Sequence, residues 1–267
     1  MLTIAARLLV VVLFVSPLVL VLAGSLRGLG LPPPDGLELL PSPLTTEGYR
    51  ALPGEIALGT AFRNSALVVA MAVPLGVAIG SAAGFALTQL PPRWRRRGVA
   101  MVVVMLVIPL PMLWVARFVL YLRLGALDTL FPLVAPAFAA STPVAVLLAY
   151  RAFSRVPREL WEAARAEGAS ALRTWWQLGL PMVRATTTAV AALVFAVHWG
   201  AYLDALLYVQ SSDTTTLPLA VATLRTLDPT DLPIGLAGAA TLALPPLVLL
   251  LLAQRRLLSS VDVADER

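Results

Sequence analysis

Charge is missing from six long stretches of this 267-residue chain, and that omission constrains its fold more than any other feature. The charge-free runs are Leu8 to Leu26, Asn64 to Pro92, Gly98 to Ala116, Thr129 to Tyr150, Ala185 to Leu203 and Leu232 to Gln254, each at least 19 residues long. At about 1.5 Å per helical residue, that length crosses a hydrocarbon layer of about 30 Å. An unpaired backbone amide in hydrocarbon costs several kcal/mol, so each run is expected to be a helix. Composition agrees: 59% of the residues are hydrophobic, 13% are charged, and the mean hydropathy is +0.84, values foreign to a soluble globule. The expected fold is all-α and integral to a membrane, with six transmembrane helices.

The first run also has features of a secretory signal. Its length, the lone Arg7 ahead of it and the weakness of any small-x-small site before Arg27 favour a retained span, while Gly24-Ser25 keeps the signal reading open. Arginine placement sets the orientation, because short cytoplasmic loops carry the basic excess. With the amino terminus inside, fourteen of the twenty basic residues are cytoplasmic, including Arg93, Arg95, Arg96, Arg97 and the six from Arg151 to Arg184. Six lie outside: Arg27, Arg50, Arg63, Arg117, Arg123 and Arg225. Both termini are therefore expected in the cytoplasm of a bacterial cell, with the chain multi-pass in its cytoplasmic (inner) membrane. The net charge of +5 is accounted for by this rule and by inner-leaflet lipid, without nucleic acid.

The chain then divides into a first transmembrane helix over 1–26, an irregular Pro- and Gly-rich external loop over 27–61, a five-helix core over 62–256, and a solvated cytoplasmic tail over 257–267. Prolines crowd the third run (Pro109, Pro111) and the fourth (Pro132, Pro136, Pro143), and predict bends with free carbonyls. Gly76, Gly80 and Gly84 form a small-residue stripe suited to close helix approach, either as a seam in a moving bundle or as packing within one subunit.

Two absences narrow the chemistry. Without Cys there is no disulfide, thiolate metal site or cysteine nucleophile, and no metal site is expected. Without Lys there is no Walker-type phosphate loop, so the chain is not expected to be an enzyme with its own ATPase site.

The cytoplasmic stretch 151–184 reads as helix, turn, helix. Pro157 suits a first helical position, Glu159 puts negative charge in the first turn, Gly168 supplies a left-handed end, Ser170 a new N-cap, and Pro181 a stop. Leu160, Ala163, Ala164 and Glu167 share one face, mostly small and apolar with an acidic end, suited to a groove on another protein. Arg158, Glu162 and Arg165 equally fit ordinary solvated helix pairs.

The run Glu162-Ala163-Ala164, then Gly168-Ala169, then Leu180-Pro181, resembles the EAA loop of ABC importer permeases, and it falls before the penultimate span as in that family. Further likeness points to the carbohydrate-uptake branch, the maltose permease type: Leu44 to Tyr49, Asn64-Ser65, Phe85-Ala86-Leu87, Gly125 to Thr129, and Thr216-Leu217-Pro218. The resemblance implies that Glu159, Glu162, Ala163, Ala164, Glu167, Gly168 and Ala169 belong to a coupling helix seated in a separate ATPase subunit. Glu167 stands where the family usually has Asp. It also implies a second permease subunit, with a heterodimer expected, two ATPase subunits holding ATP and Mg, an extracytoplasmic solute-binding protein, and no cofactor on this chain. Where sugar permeases commonly read W-N-(D/E), this chain has Trp199-Gly200-Ala201, and the usual Gly-rich carboxyl end is absent, which weakens the assignment of solute.

Polar and aromatic groups inside spans are candidates for a translocation path. The fifth run and its edge hold His198, Trp199, Tyr202 and Asp204, a mixture suited to sugars, whose C–H faces meet rings and whose hydroxyls meet imidazole, phenol and carboxylate. The competing readings are an interfacial aromatic belt for Trp199 and Tyr202, a satisfied packing residue for His198, and a merely hydrated Asp204. A hydrolase pairing His198 with a serine has no partner that the sequence specifies. The expected function is permeation of a carbohydrate or similar polyhydroxy solute. The alternatives are a peptide, polyamine or phosphate ester as solute, or a membrane scaffold without transport activity.

Overall fold

A computed structural model describes residues 2–36, 38–109, 111–138 and 143–265. Leu110 and residues 139–142, in the third and fourth charge-free runs, and residues 266–267 of the expected tail lie outside the described residues. Among the described residues every regular element is helical. In chain order these are α1 (Leu2–Ser25), α2 (Glu47–Glu55), α3 (Leu58–Gln89), α4 (Pro92–Val107), α5 (Pro111–Arg123), α6 (Phe131–Val134) and α7 (Pro143–Phe153). There follow α8 (Arg158–Ala166), α9 (Ala171–Arg173), α10 (Leu180–Met182), α11 (Arg184–Trp199), α12 (Tyr202–Tyr208), α13 (Leu217–Thr223) and α14 (Leu232–Asp265).

Three helical segments among the described residues are long and apolar enough to cross a membrane: Leu8–Ser25, Leu58–Gln89 and Pro229–Leu252. Two more runs qualify only as bent pairs. Pro92–Val107 with Pro111–Arg123, and Ala171–Met182 with Arg184–Trp199, each turn through 92°. The third charge-free run is thus not one straight helix. Pro109 and Pro111 withdraw two amide donors, and Ile108 is extended at φ −71 and ψ 115, as a residue before proline prefers. Likewise the fourth run is not one helix of 22 residues. Around Pro132, Pro136 and Pro143 it breaks into α6, a 3-10 turn at Ala135–Ala137, and the 11-residue apolar α7.

The chain forms two compact units, residues 1–64 with 211–247 and residues 65–210 with 248–267. In the first, the segment expected to be irregular carries a helix, α2. The Tyr49 hydroxyl lies 2.8 Å from Ser25 Oγ at the end of α1, and a Cβ added at Gly48 would lie 2.8 Å from the Pro233 carbonyl oxygen. Asn64, buried, donates from Nδ2 to the carbonyls of Asp213 (2.8 Å) and Thr215 (2.9 Å), pinning the strap that leads into α13. Asp228 caps the turn before α14, where the backbone N–H and hydroxyl of Thr230 hold its carboxyl below the usual carboxylate range.

In the second unit the glycine stripe faces inward. A Cβ at Gly76 would meet Val194 of α11 at 2.9 Å. At Gly80 it would meet Ala145 of α7 at 3.2 Å, and at Gly84 the Ala149 Cβ and Tyr150 N, both at 2.6 Å. The stripe therefore packs α7 and α11 against α3 within this chain.

Candidate functional site

Two places in the second unit gather chemistry, the loop around α8 and a polar cluster on α5, α11 and α12.

Pro157 is the N-cap of α8, one position earlier than the first helical position assigned to it, and Glu159 occupies the first turn. The helix closes with two paired bonds. The Gly168 N–H reaches the Arg165 carbonyl at 3.0 Å, and the Ala169 N–H reaches the Ala164 carbonyl at 3.0 Å. This is a Schellman closure, which needs a left-handed residue at its hinge, and Gly168 has φ +78. Ser170 then caps the next helix as expected, its Oγ accepting from the Arg173 N–H at 3.3 Å. Pro181 does not end that helix. The chain stays helical through a π-helical stretch, Thr174–Gly179, and α10, and turns only at Val183. The π stretch buries Trp175, 8% exposed, and leaves Trp176 62% exposed.

An aromatic anchor decides which face of α8 is free. Trp161, 5% exposed, lies edge-on to Phe85 of α3 at 5.4 Å and to Phe153 of α7 at 6.4 Å, with Trp175 and Val183 completing the cluster. Gly179 makes room for it, since a Cβ there would lie 3.1 Å from the Phe153 ring. Arg165 donates from Nη1 to Gln89 Oε1 at the end of α3, at 3.3 Å. With this side held, Glu159, Glu162, Ala163, Ala166 and Glu167 are exposed, as are Leu160 and Gly168, whereas Ala164 and Ala169 are half-buried. The outward face is thus more acidic than the apolar face expected around Leu160, Ala163 and Ala164, because Trp161 turns Ala164 toward the bundle. Sequence reasoning missed the anchor of Trp161, Phe153 and Trp175. The available signal was a tryptophan set among charges inside the loop.

The polar cluster begins where α11 ends. His198 is buried, and its Nδ1 lies 2.8 Å from the Val194 carbonyl oxygen. A carbonyl only accepts, so Nδ1 carries the proton of that bond. Nε2 is buried without a partner. Trp199 is buried and stacked on Phe195, with centroids 5.5 Å apart and planes at 13°, which removes it from any lipid-facing belt. After a break at Gly200 and Ala201, α12 carries Tyr202 and Asp204, both half-buried. Trp114, Arg117 and His198 lie within electrostatic reach of the Asp204 carboxyl, and its Oδ1 is buried without a partner. Asp204 is therefore half-buried, with one carboxyl oxygen shut away from the surface.

Tyr208 is fully buried, donates to the Trp114 carbonyl oxygen at 3.3 Å, and meets Tyr121 edge-on at 5.2 Å. The segment Gly125 to Thr129 latches α5 to α12. Asp128, at φ +58, donates its N–H to the Tyr208 carbonyl (2.8 Å) and accepts from the Gln210 N–H at Oδ1 (2.9 Å). Trp114, Arg117 and Tyr121 were not singled out from the sequence, although their spacing of three and four residues marks one helix face.

Comparison with known proteins places these features in context. The sequence pattern of the family described as "Binding-protein-dependent transport system inner membrane component" matches residues 72–260. The arabinooligosaccharides transport system permease protein AraQ of Halalkalibacterium halodurans is 29% identical over 232 residues, 86% of this chain and 82% of that protein. The trehalose transport system permease protein SugB of Mycobacterium tuberculosis is 25% identical over 229 residues, 85% of this chain and 83% of that one. Among solved structures, a chain of a bacterial ABC transporter involved in the import of the acidic polysaccharide alginate superposes with a TM-score of 0.78, covering 95% of each chain at 18% identity. At that identity the likeness concerns the fold.

Proposed function

Since this chain belongs to the binding-protein-dependent transport system inner membrane component family, we propose that it is the permease subunit of an ATP-driven bacterial importer for a carbohydrate or similar polyhydroxy solute. The relatives named for sugar transport support the solute class. In this reading the chain crosses the inner membrane six times, with α7 as the short member, and both termini are cytoplasmic. The fourteen-to-six distribution of arginines supports that orientation. A second permease, expected to be a different chain, completes the pathway. An extracytoplasmic binding protein delivers solute, and two ATPase subunits binding ATP and Mg power the cycle.

The observation that carries the proposal is α8, clamped on one side by Trp161 and Arg165 and open on the other through Glu159, Glu162, Ala163 and Glu167. A short helix anchored in aromatic rings at the ends of α3 and α7 can transmit an axial push, because packed side chains shift as a unit. Glu159, Glu162, Ala163, Ala164, Glu167, Gly168 and Ala169 are the residues proposed to meet the ATPase. The test is Glu162→Lys in the assembled importer. Uptake should fall at least tenfold while ATP hydrolysis either falls or loses its dependence on the binding protein, because reversing one charge on a docking face costs more than about 1.4 kcal/mol of coupling. Unaltered uptake and unaltered stimulation of hydrolysis would remove α8 from the interface.

A further inference from the structure

We propose that His198 Nε2 and Asp204 Oδ1 form a hydroxyl-accepting site that takes a neutral polyhydroxy solute and discriminates against charged ones. The proposal rests on the importer reading above and narrows it to a solute charge class and to named atoms.

His198 is 6% exposed and its Nδ1 proton is committed to the Val194 carbonyl, so in the neutral ring Nε2 presents a lone pair. On Asp204, Oδ1 is buried and has no partner. The two groups interact electrostatically yet do not hydrogen-bond each other. Two buried acceptors without donors in one neighbourhood are costly unless a ligand brings the protons. A sugar hydroxyl does so, as each O–H donates one bond.

Charge then separates the candidate solutes. An anion, such as a phosphate ester or uronate, would bring further acceptors and negative charge to Asp204. A polyamine would bring donors, but its positive charge would face Arg117, which lies within electrostatic reach of the same carboxyl. A neutral polyol supplies donors with neither penalty. Arg117 acts here by setting the local charge around the Asp204 carboxyl.

The experiment uses the complete importer in proteoliposomes, with its binding protein and ATPase. Labelled arabinotriose, lactose, trehalose, melibiose and maltotriose are offered singly, alongside putrescine and galacturonate. At least one neutral sugar should be carried in preference to both charged solutes. With that sugar, Asp204→Asn, which keeps the shape but exchanges an acceptor for a donor, should raise KM about tenfold with a smaller change in maximal rate. His198→Phe, which keeps a ring and removes both nitrogens, should do the same. If a neutral sugar is carried and both variants leave KM within about twofold, the site is overturned while the importer reading stands. Failure of both variants to assemble overturns it too, because the two groups would then serve the fold. Uptake of putrescine or galacturonate in place of every sugar overturns the site and the carbohydrate reading together.

Discussion

Two glycines show how one residue type answers two different physical demands. Gly168 has nothing within 4 Å of where a Cβ would stand, and its requirement is the φ of +78 that closes α8. Gly84 lies in regular helix, and its requirement is space, because a Cβ there would meet the backbone nitrogen of Tyr150 at 2.6 Å. Gly168→Ala should therefore cost about 1–2 kcal/mol, the penalty of a left-handed alanine, and Gly168→Asn should recover part of it. Gly84→Ala should cost about 1–3 kcal/mol, because backbone must move to admit the methyl group. Thermal unfolding of the two alanine variants in detergent measures the contrast. A larger loss at Gly168 than at Gly84 would mean that the left-handed hinge of α8 is more demanding than the close approach of α3 and α7.

At the scale of elements, short segments that resemble a known family turn out to be latches between helices. Thr45 donates its N–H to the Leu26 carbonyl at 2.8 Å, and Tyr49 reaches Ser25, so the Leu44 to Tyr49 stretch ties α2 to the end of α1. Asn64 holds the strap before Thr216-Leu217-Pro218, Gly125 to Thr129 joins α5 to α12, and Phe85 is a wall of the Trp161 anchor. The element with most at stake is α8, whose inner face rests mainly on one tryptophan. Trp161→Ala should destabilise the loop by about 3 kcal/mol, the usual cost of emptying a buried aromatic site, and should lower solute moved per ATP hydrolysed. Trp161→Phe should keep most of both. Simultaneous assays of uptake and phosphate release in proteoliposomes test this, and an unchanged ratio in Trp161→Ala would show that the anchor does not carry the coupling.

For the whole molecule, the proposed topology makes a sharp prediction because the chain lacks cysteine. A single cysteine at Glu162 should react with a membrane-impermeant maleimide only when the cytoplasmic side is open, and one at Thr45 only from outside. Labelling of both from the same side would refute an odd number of crossings between them. The helical class, the membrane habit and the caps at Gly168 and Ser170 were legible in the chain, because they depend on local backbone chemistry and on the exclusion of charge from long runs, whereas the acidic outward face of α8 was set by the burial of Trp161. The bends at Ile108 and Val183 were only half legible: prolines announce that a hydrogen bond is lost, but the direction and size of a turn depend on what packs against it. The aromatic anchor under α8 and the gathering of Trp114, Arg117, His198 and Asp204 were decided by tertiary structure alone. Each gathering joins segments far apart in the chain, Phe85 with Phe153 and Trp161, and Trp114 and Arg117 with His198 and Asp204, so burial, partner choice and the stranding of two acceptors follow from which helix faces meet.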